Sequence, residues 1–569
     1  MLLLALASGV GGHAEAAWAA SDADPAAARA VLDGWQADDP EPGERLLHVI
    51  AWRAADRGFP ANHRERLDRM LSHIQGFYRR ELERHGFGPR SIRLARDAED
   101  RLVVHEVVGE GPWAGYDVPD GRRIRDECGP VLREQGIDID RETIMIFTNL
   151  GEWDPARGRF RHKSPYYAGG DWQRGTAWQL DSPELDTTNL PLTAPLLQDG
   201  QYGRISLGKH NSIFIGGIAH ELGHALGLPH CRERPDEAAR GTALMGSGNQ
   251  TYGDELRGEG KGTFLTLAHA LRLASHPQFS GSIKGLGERP RGSFSDLSVT
   301  AGHEGRAFRL TGRVRGEPPV YAVIGYLDPE GNGDYDARTV STVPDAEGRF
   351  TLDSGPLVSG RPAALRLVAC HANGGTTDLR QPYGVGEDGT VDVSTMEVMF
   401  TLAEFLDTLA AAGPERAAAV APATGPAARF AAAVLAGRGT ERRSVSPATA
   451  AADLERLPLS HAEPTDAIVG WMRPAYDHLP RRDALIESAG RLYETGIYAH
   501  APARHRYKLG SGWKRLQGRC GLPTQPGGSV VFVVRGDGQE LFRSPRLGPG
   551  TTADYDIDLS GVDSLELVT

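Results

Sequence analysis

From residue 44 onward, short apolar runs alternate with polar stretches of helical period. Residues 46–52 (LLHVIAW) form a nearly continuous apolar run, the pattern of a strand buried on both faces. Leu67, Leu71, Ile74, Tyr78 and Leu82 then recur at spacings of three and four and so share one face of a predicted helix. Asn62 stands where that helix needs a cap and Gly86 where it needs a stop. Residues 91–94 and 102–108 read as strands, 122–135 as a second helix and Thr143–Thr148 (TIMIFT) as another buried strand. A helix over 263–275, ended by Pro277, closes the region. This order predicts an α/β domain over 44–280, with helices packed around a mixed sheet. Residues 150–210 carry aromatic, Gly and charged residues without clear period and read as a long functional loop.

Further along, the period changes. Residues 281–400 hold short alternating segments (307–310, 320–326, 350–352, 365–369) separated by Gly, Pro and Asp turns, a β-sandwich pattern. Residues 401–455 are Ala-rich and read mainly as a linker with one or two short helices. Residues 456–569 return to strands, notably 529–534 and 565–568. At the other end, Leu2, Leu3, Leu4, Ala5 and Leu6 begin an apolar run that fades near Gly12, followed by small residues suited to cleavage. Residues 1–19 thus read as a signal peptide, although no Lys or Arg precedes the Leu run, and imply a secreted protein, extracellular or periplasmic. Residues 20–43, rich in Ala, Asp and Pro, read as a loose leader or propeptide. No later segment offers 18 uncharged apolar residues, so no membrane span is expected.

A length of 569 residues fits several domains rather than one. The net charge of −12 argues against broad binding to nucleic acid. Four Cys are too few for a disulfide scaffold; Cys128 and Cys231 share the α/β region and are a candidate pair, with Cys370 and Cys520 expected free.

The chemistry concentrates in 220–230, HELGHALGLPH. His220 and His224 are four residues apart and project from one helix face, a separation suited to two imidazoles sharing one Zn2+. Glu221 can reach the attacking water as general base. Gly227 can end the helix, because it tolerates positive φ, and so lets the chain bring His230 back as a third ligand. Three protein ligands leave one position open, as in catalytic rather than structural zinc sites.

HExxHxxGxxH resembles the zinc signature of the metzincin metalloproteases. The resemblance implies zinc at His220, His224 and His230, Glu221 as catalytic base, and a Met-turn beneath the metal, a role Met245 suits. Some metzincins carry a Tyr two residues after that Met; here the position is Ser247, and the nearest Tyr, Tyr252, is given no metal role. Gly175–Leu180 (GTAWQL) is a candidate edge strand for pairing an extended substrate.

The last region, 456–569, resembles the NPCBM carbohydrate-binding module, through GIYAHAP at 496–502, YKL at 507–509 and GGSVVFVVRGDGQELFRS at 527–544. The resemblance implies a glycan ligand, with Tyr498 and Trp513 as candidate sugar platforms against their ordinary role as core residues. The stretch from Asp328 to Asp334 places oxygen side chains at alternate positions, like the first half of a Ca2+ loop. Thr339 stands where the bidentate Glu would fall, so a solvated hairpin turn is the better reading. Arg519-Cys520-Gly521-Leu522-Pro523 superficially matches a metalloprotease cysteine switch but lies far downstream of the zinc motif, against a regulatory role.

The fold class expected is therefore multidomain: an α/β metzincin-like catalytic domain followed by β-sandwich domains. The function expected is a secreted zinc-dependent endopeptidase using zinc-activated water, with protein or glycoprotein as substrate. The alternative is a glycan-binding or adhesion protein whose metzincin domain is inactive; retention of Glu221 beside all three His argues against it.

Overall fold

A computed structural model describes residues 19–302, 305–329, 334–358, 362–435, 445–450, 454–480, 485–510, 512–524 and 528–569. The signal-peptide reading falls almost wholly on residues 1–18, and the centre of the Ca2+-loop reading on 330–333, outside the described residues.

The first region runs α1 (Pro25–Ala37), β1 (Leu47–Arg53), α2 (His63–Arg84), β2 (Val104–Val108), α3 (Gly121–Glu134), β3 (Thr143–Thr148), β4 (Gly151–Asp154), β5 (Arg159–His162), β6 (Tyr167–Gly170), β7 (Gly175–Leu180), β8 (Leu196–Asp199), β9 (Gly203–Ser206), α4 (Leu207–Ala225) and α5 (Leu267–Ala274). Its main sheet has the order β2-β1-β3-β7-β6, parallel except for β6. Alternate residues face opposite sides. Ile50, Trp52, Ile144 and Ile146 pack with Ile124, Cys128 and Leu132 of α3. Val49, Ala51, Met145 and Phe147 pack with Leu71 and Tyr78 of α2 and Ile215 and Leu222 of α4. Burial on both faces is why β1 and β3 read as unbroken apolar runs. Asn62 precedes α2 without a side-chain cap bond, and Gly86, at φ 81°, follows it.

Three expectations need correction here. Residues 150–210 are not one loop: they hold β6, β7 and a separate sheet of order β4-β5-β8-β9. Those four strands are four residues long and interleave charged residues with apolar ones, too short for a period to show. Gly175–Leu180 is not an edge; it pairs with β3 on one side and β6 on the other, so β6 is the edge on that side of the sheet. Cys128 and Cys231 form no disulfide, since Cys128 packs on the α3 face of the sheet and Cys231 on the α4 face.

The leader also differs from its expectation. It forms α1, capped by Asp24, whose carboxylate accepts from Ala26 N at 2.9 Å, with Ala28 and Leu32 buried in the main core. Just before it, the Ser21 and Ala23 amides donate to Asp353 O and Ser341 Oγ, each at 3.0 Å, so this segment is laced to the next domain.

That domain is a β-sandwich. Strands 291–301, 308–317 and 349–353 form one sheet; 320–328, 338–342, 362–371, 376–385 and 391–392 form the other. Phe308, Leu310, Leu352, Leu365 and Leu367 fill the space between them. The Ala-rich "linker" is instead a small helical layer, Ser394–Ala412, Pro414–Ala419 and Gly425–Leu435, whose Leu402, Phe405, Ala427 and Ala431 share a core with Leu485. Alanine packs helices closely without advertising an apolar face. The last region is β-rich: a five-stranded sheet in which Ser564–Val568 is central, and a two-stranded ribbon of Arg515–Gly521 with Thr552–Asp558. Among the described residues, no helix is long and apolar enough to cross a membrane.

Candidate metal centre

Helix α4 is held from both ends before its chemistry begins. Ser206 caps it, its hydroxyl accepting from Lys209 N at 3.0 Å. Gly227, at φ 82°, ends it: Gly227 N donates to His224 O and Leu228 N to Gly223 O, both at 2.9 Å. This paired closure of the last turn swings the chain back toward the helix. The buried Tyr78 hydroxyl donates to Ala219 O at 2.8 Å, fixing the turn that carries His220 and Glu221.

Several glycines let neighbours approach. A Cβ on Gly170 or Gly175 would lie within 2.0 Å of Ala225 O, so only glycines let β6 and β7 cross the helix end. A Cβ on Gly223 would lie 2.4 Å from Met245 Sδ. Met245 is fully buried against the helix underside, and its carbonyl accepts from Cys231 N at 3.2 Å.

This frame brings His220, His224 and His230 together, with one ligating atom from each within 4.8 Å of the others. His224 Nε2 lies 3.1 Å from His220 Nε2 and 3.0 Å from His230 Nε2. The second nitrogens settle two tautomers. His220 Nδ1 is 2.7 Å from Leu244 O, and His224 Nδ1 is 2.8 Å from Leu228 O. A carbonyl only accepts, so both Nδ1 atoms carry the proton and both Nε2 atoms present lone pairs. Two lone pairs facing each other at 3.1 Å cannot hydrogen-bond; a cation between them removes the conflict. Burial and the His224 ring hold His220 down to about 3, so it stays neutral, the ligating form. These donors suit a divalent transition metal, with nitrogen ligands and a three-residue set typical of zinc.

Glu221, on the same turn, is half-buried, and burial pushes its carboxyl up to about 7. Tyr166 sits beside it, its hydroxyl lying over Gly217, where a Cβ would be 1.4 Å away. That hydroxyl points at the Ile213 and Phe214 carbonyls at 3.5 and 3.3 Å, and burial with the nearby Glu221 carboxyl raises its pKa far above the ordinary value. Nothing in the local sequence marks Tyr166, because only the fold puts it on α4. Tyr252 is buried against His73 and Phe77 rather than open to the cluster.

The same helix carries a second histidine site that sequence spacing did not reveal. His210, wholly buried, has Nδ1 3.0 Å from Asp199 Oδ2 and Nε2 3.4 Å from Glu184 Oε1. Burial alone would lower its pKa, but the bonds to both carboxylates prevail and raise it.

In the C-terminal region the platform candidates separate. Trp513 is half-buried, its indole N–H donating to Pro447 O at 2.9 Å, and packs in the regional core. Tyr498 is half-buried and joins an outward group: Trp471, 46% exposed, lies 5.6 Å from the His500 ring, and the Tyr498 hydroxyl is 3.4 Å from Trp471 O. Cys520 lies within this region, its thiol bonded to Ala553 O and pushed up to about 11 mainly by burial, and takes no part in the histidine cluster.

Residues 455–569 match the NPCBM/NEW2 domain family, so the chain ends in an NPCBM domain. No curated protein sequence matches the chain. Its backbone resembles two crystal structures of OgpA from Akkermansia muciniphila. One is a catalytically inactive form in complex with an O-glycopeptide (glycodrosocin) substrate, with a TM-score of 0.50 at 24% identity over 60% of this chain and 94% of that one. The other is the wild type, with a TM-score of 0.50 at 24% identity over 62% and 96%. This likeness concerns the fold.

Proposed function

We propose that the chain is a secreted zinc-dependent endopeptidase of metzincin type that cleaves glycoproteins. The observation that carries this reading is the convergence of the His220, His224 and His230 nitrogens, two of them with their lone pairs locked inward, beside Glu221. A bound zinc would supply Lewis acidity, lowering the pKa of water and polarising the scissile carbonyl. Glu221 takes the proton of the attacking water and hands it to the leaving amine; a carboxyl raised to about 7 is poised for both directions near neutral pH. The carbonyls of Leu244 and Leu228 keep His220 and His224 neutral and oriented. The exposed edge strand β6 offers unpaired backbone against which an extended peptide can add as a strand.

The glycoprotein preference draws support from the NPCBM domain and from the shared fold with OgpA, which was solved with an O-glycopeptide. Trp471, with Tyr498 and His500, is the sugar-facing group we assign in that domain. Zinc content together with casein and mucin cleavage tests the reading. Stoichiometric zinc and cleavage by wild type, lost in Glu221→Ala, are expected; a wild-type protein without zinc or hydrolysis overturns it.

A further inference from the structure

The histidine cluster is walled on one side by the β-sandwich domain. Tyr335, from a turn preceding strand Arg338–Thr342, lays its ring on His230 with centroids 3.5 Å apart and planes at 24°. Tyr335 is still 56% exposed, so the residue stacked on His230 keeps surface open to solvent. The turn is fastened to the residues that follow His230. Asp336 pairs with Arg232 at 3.1 Å, Arg232 N donates to Ala337 O at 2.8 Å, and the Arg234 guanidinium reaches Thr339 O at 2.9 Å. Arg234 is itself buried and held by Asp22 in a two-pronged bond, both contacts 2.8 Å. The sandwich turn is therefore tied to the segment that directly follows the third histidine.

The tyrosines of the α/β domain considered at the zinc motif, and the residue after the Met-turn, are placed differently. Ser247 follows the Met-turn, Tyr252 is buried, and the Tyr166 hydroxyl is turned to the α4 backbone. Tyr335 alone of these combines exposed surface with an aromatic ring laid against the cluster.

We propose that Tyr335 is a substrate-contacting residue, contributed across the domain boundary, that holds a glycopeptide against the His230 side of the cleft. This rests on the peptidase reading and adds that the site is incomplete without the sandwich. The ligand chemistry follows from the side chain: an aromatic surface stacks on the apolar face of a neutral sugar or on a peptide plane, and the phenol adds one hydrogen bond.

The test uses the full-length chain in a Glu221→Gln background, which removes the base but keeps the cleft. Calorimetry of an O-glycopeptide and of its sugar-free counterpart compares Tyr335, Tyr335→Phe and Tyr335→Ala, with zinc content measured on each and wild-type cleavage run in parallel. Tyr335→Ala should weaken glycopeptide binding about five- to tenfold with zinc unchanged, and Tyr335→Phe should restore most of it. Equal affinity for the Ala variant and its parent overturns the proposal. So does loss of zinc from the Ala variant, which would make Tyr335 a support for His230. Absence of cleavage by wild type would instead fail the peptidase reading, and is seen separately.

Discussion

Two histidine sites share α4, and they solve opposite problems. At His210 the imidazole lies between Asp199 and Glu184, and the site carries its own counter-charges. At His220 and His224 the rings meet lone pair to lone pair, with backbone carbonyls behind them. The first is self-sufficient and holds a proton. The second has its donors aimed inward and suits a cation from outside. Burial alone does not separate structural from functional histidines on this helix; the chemistry of the second nitrogen's partner does.

The largest expected effect lies at the open site. Glu221→Gln should retain zinc and fold while turnover falls about 10²–10⁴-fold, since an amide cannot take the proton. Near-normal hydrolysis would show that another base acts. His224→Ala should next reduce zinc to well below stoichiometric, read by elemental analysis, while the metal-free protein melts close to the metal-free parent. A large destabilisation there would make the cluster structural after all.

The contrast reverses at His210. Replacing it with Ala leaves two buried carboxylates without their partner and should cost about 3–5 kcal/mol in denaturant unfolding, with zinc still bound by the folded fraction. The pH dependence sharpens this. Because its pKa is raised, the stability that His210 supplies is fully present below its unfolded value near 6.5 and is lost as pH rises through the higher folded value. For Asp199 burial works upward, but its bonds prevail and its pKa is lowered, so its share is present above the ordinary carboxylate range and is lost as pH falls through the folded value. His162, the other imidazole facing the pair, is held low by burial. The gap between wild type and His210→Ala should therefore be widest around pH 5–6. A gap that grows toward alkaline pH would refute the charged pairing.

The smallest effect is expected farthest from α4. Deleting 455–569 should leave short-peptide cleavage unchanged and slow glycoprotein cleavage, because tethering raises local concentration without altering chemistry. Trp471→Ala should reproduce a few-fold part of that loss. Equal loss on both substrates would make the NPCBM domain structural.

The readable parts of the chain were those encoded by close neighbours in sequence. The i, i+4 histidines, Glu221 and the helix-ending Gly227 lie within one short motif. β1 and β3 announced themselves because both faces are buried. The His210 pairs escaped notice because its partners stand 11 and 26 residues upstream without period. Tyr335 escaped because its partner belongs to another domain. The leader reads as loose because Leu32 is buried against elements remote in the chain, and the Ala-rich segment because its helices pack largely through alanines such as Ala427 and Ala431.

The lacing of Ala23 to Ser341 carries a consequence for synthesis. The two residues are 318 positions apart, and a chain emerges N-terminus first. At ordinary elongation rates the leader waits on the order of half a minute for its partner to exist. During that interval Ala28 and Leu32 have only the α/β core to cover them, and Arg234 meets Asp22 before the sandwich arrives. A segment made early is thus among the last to be fully secured.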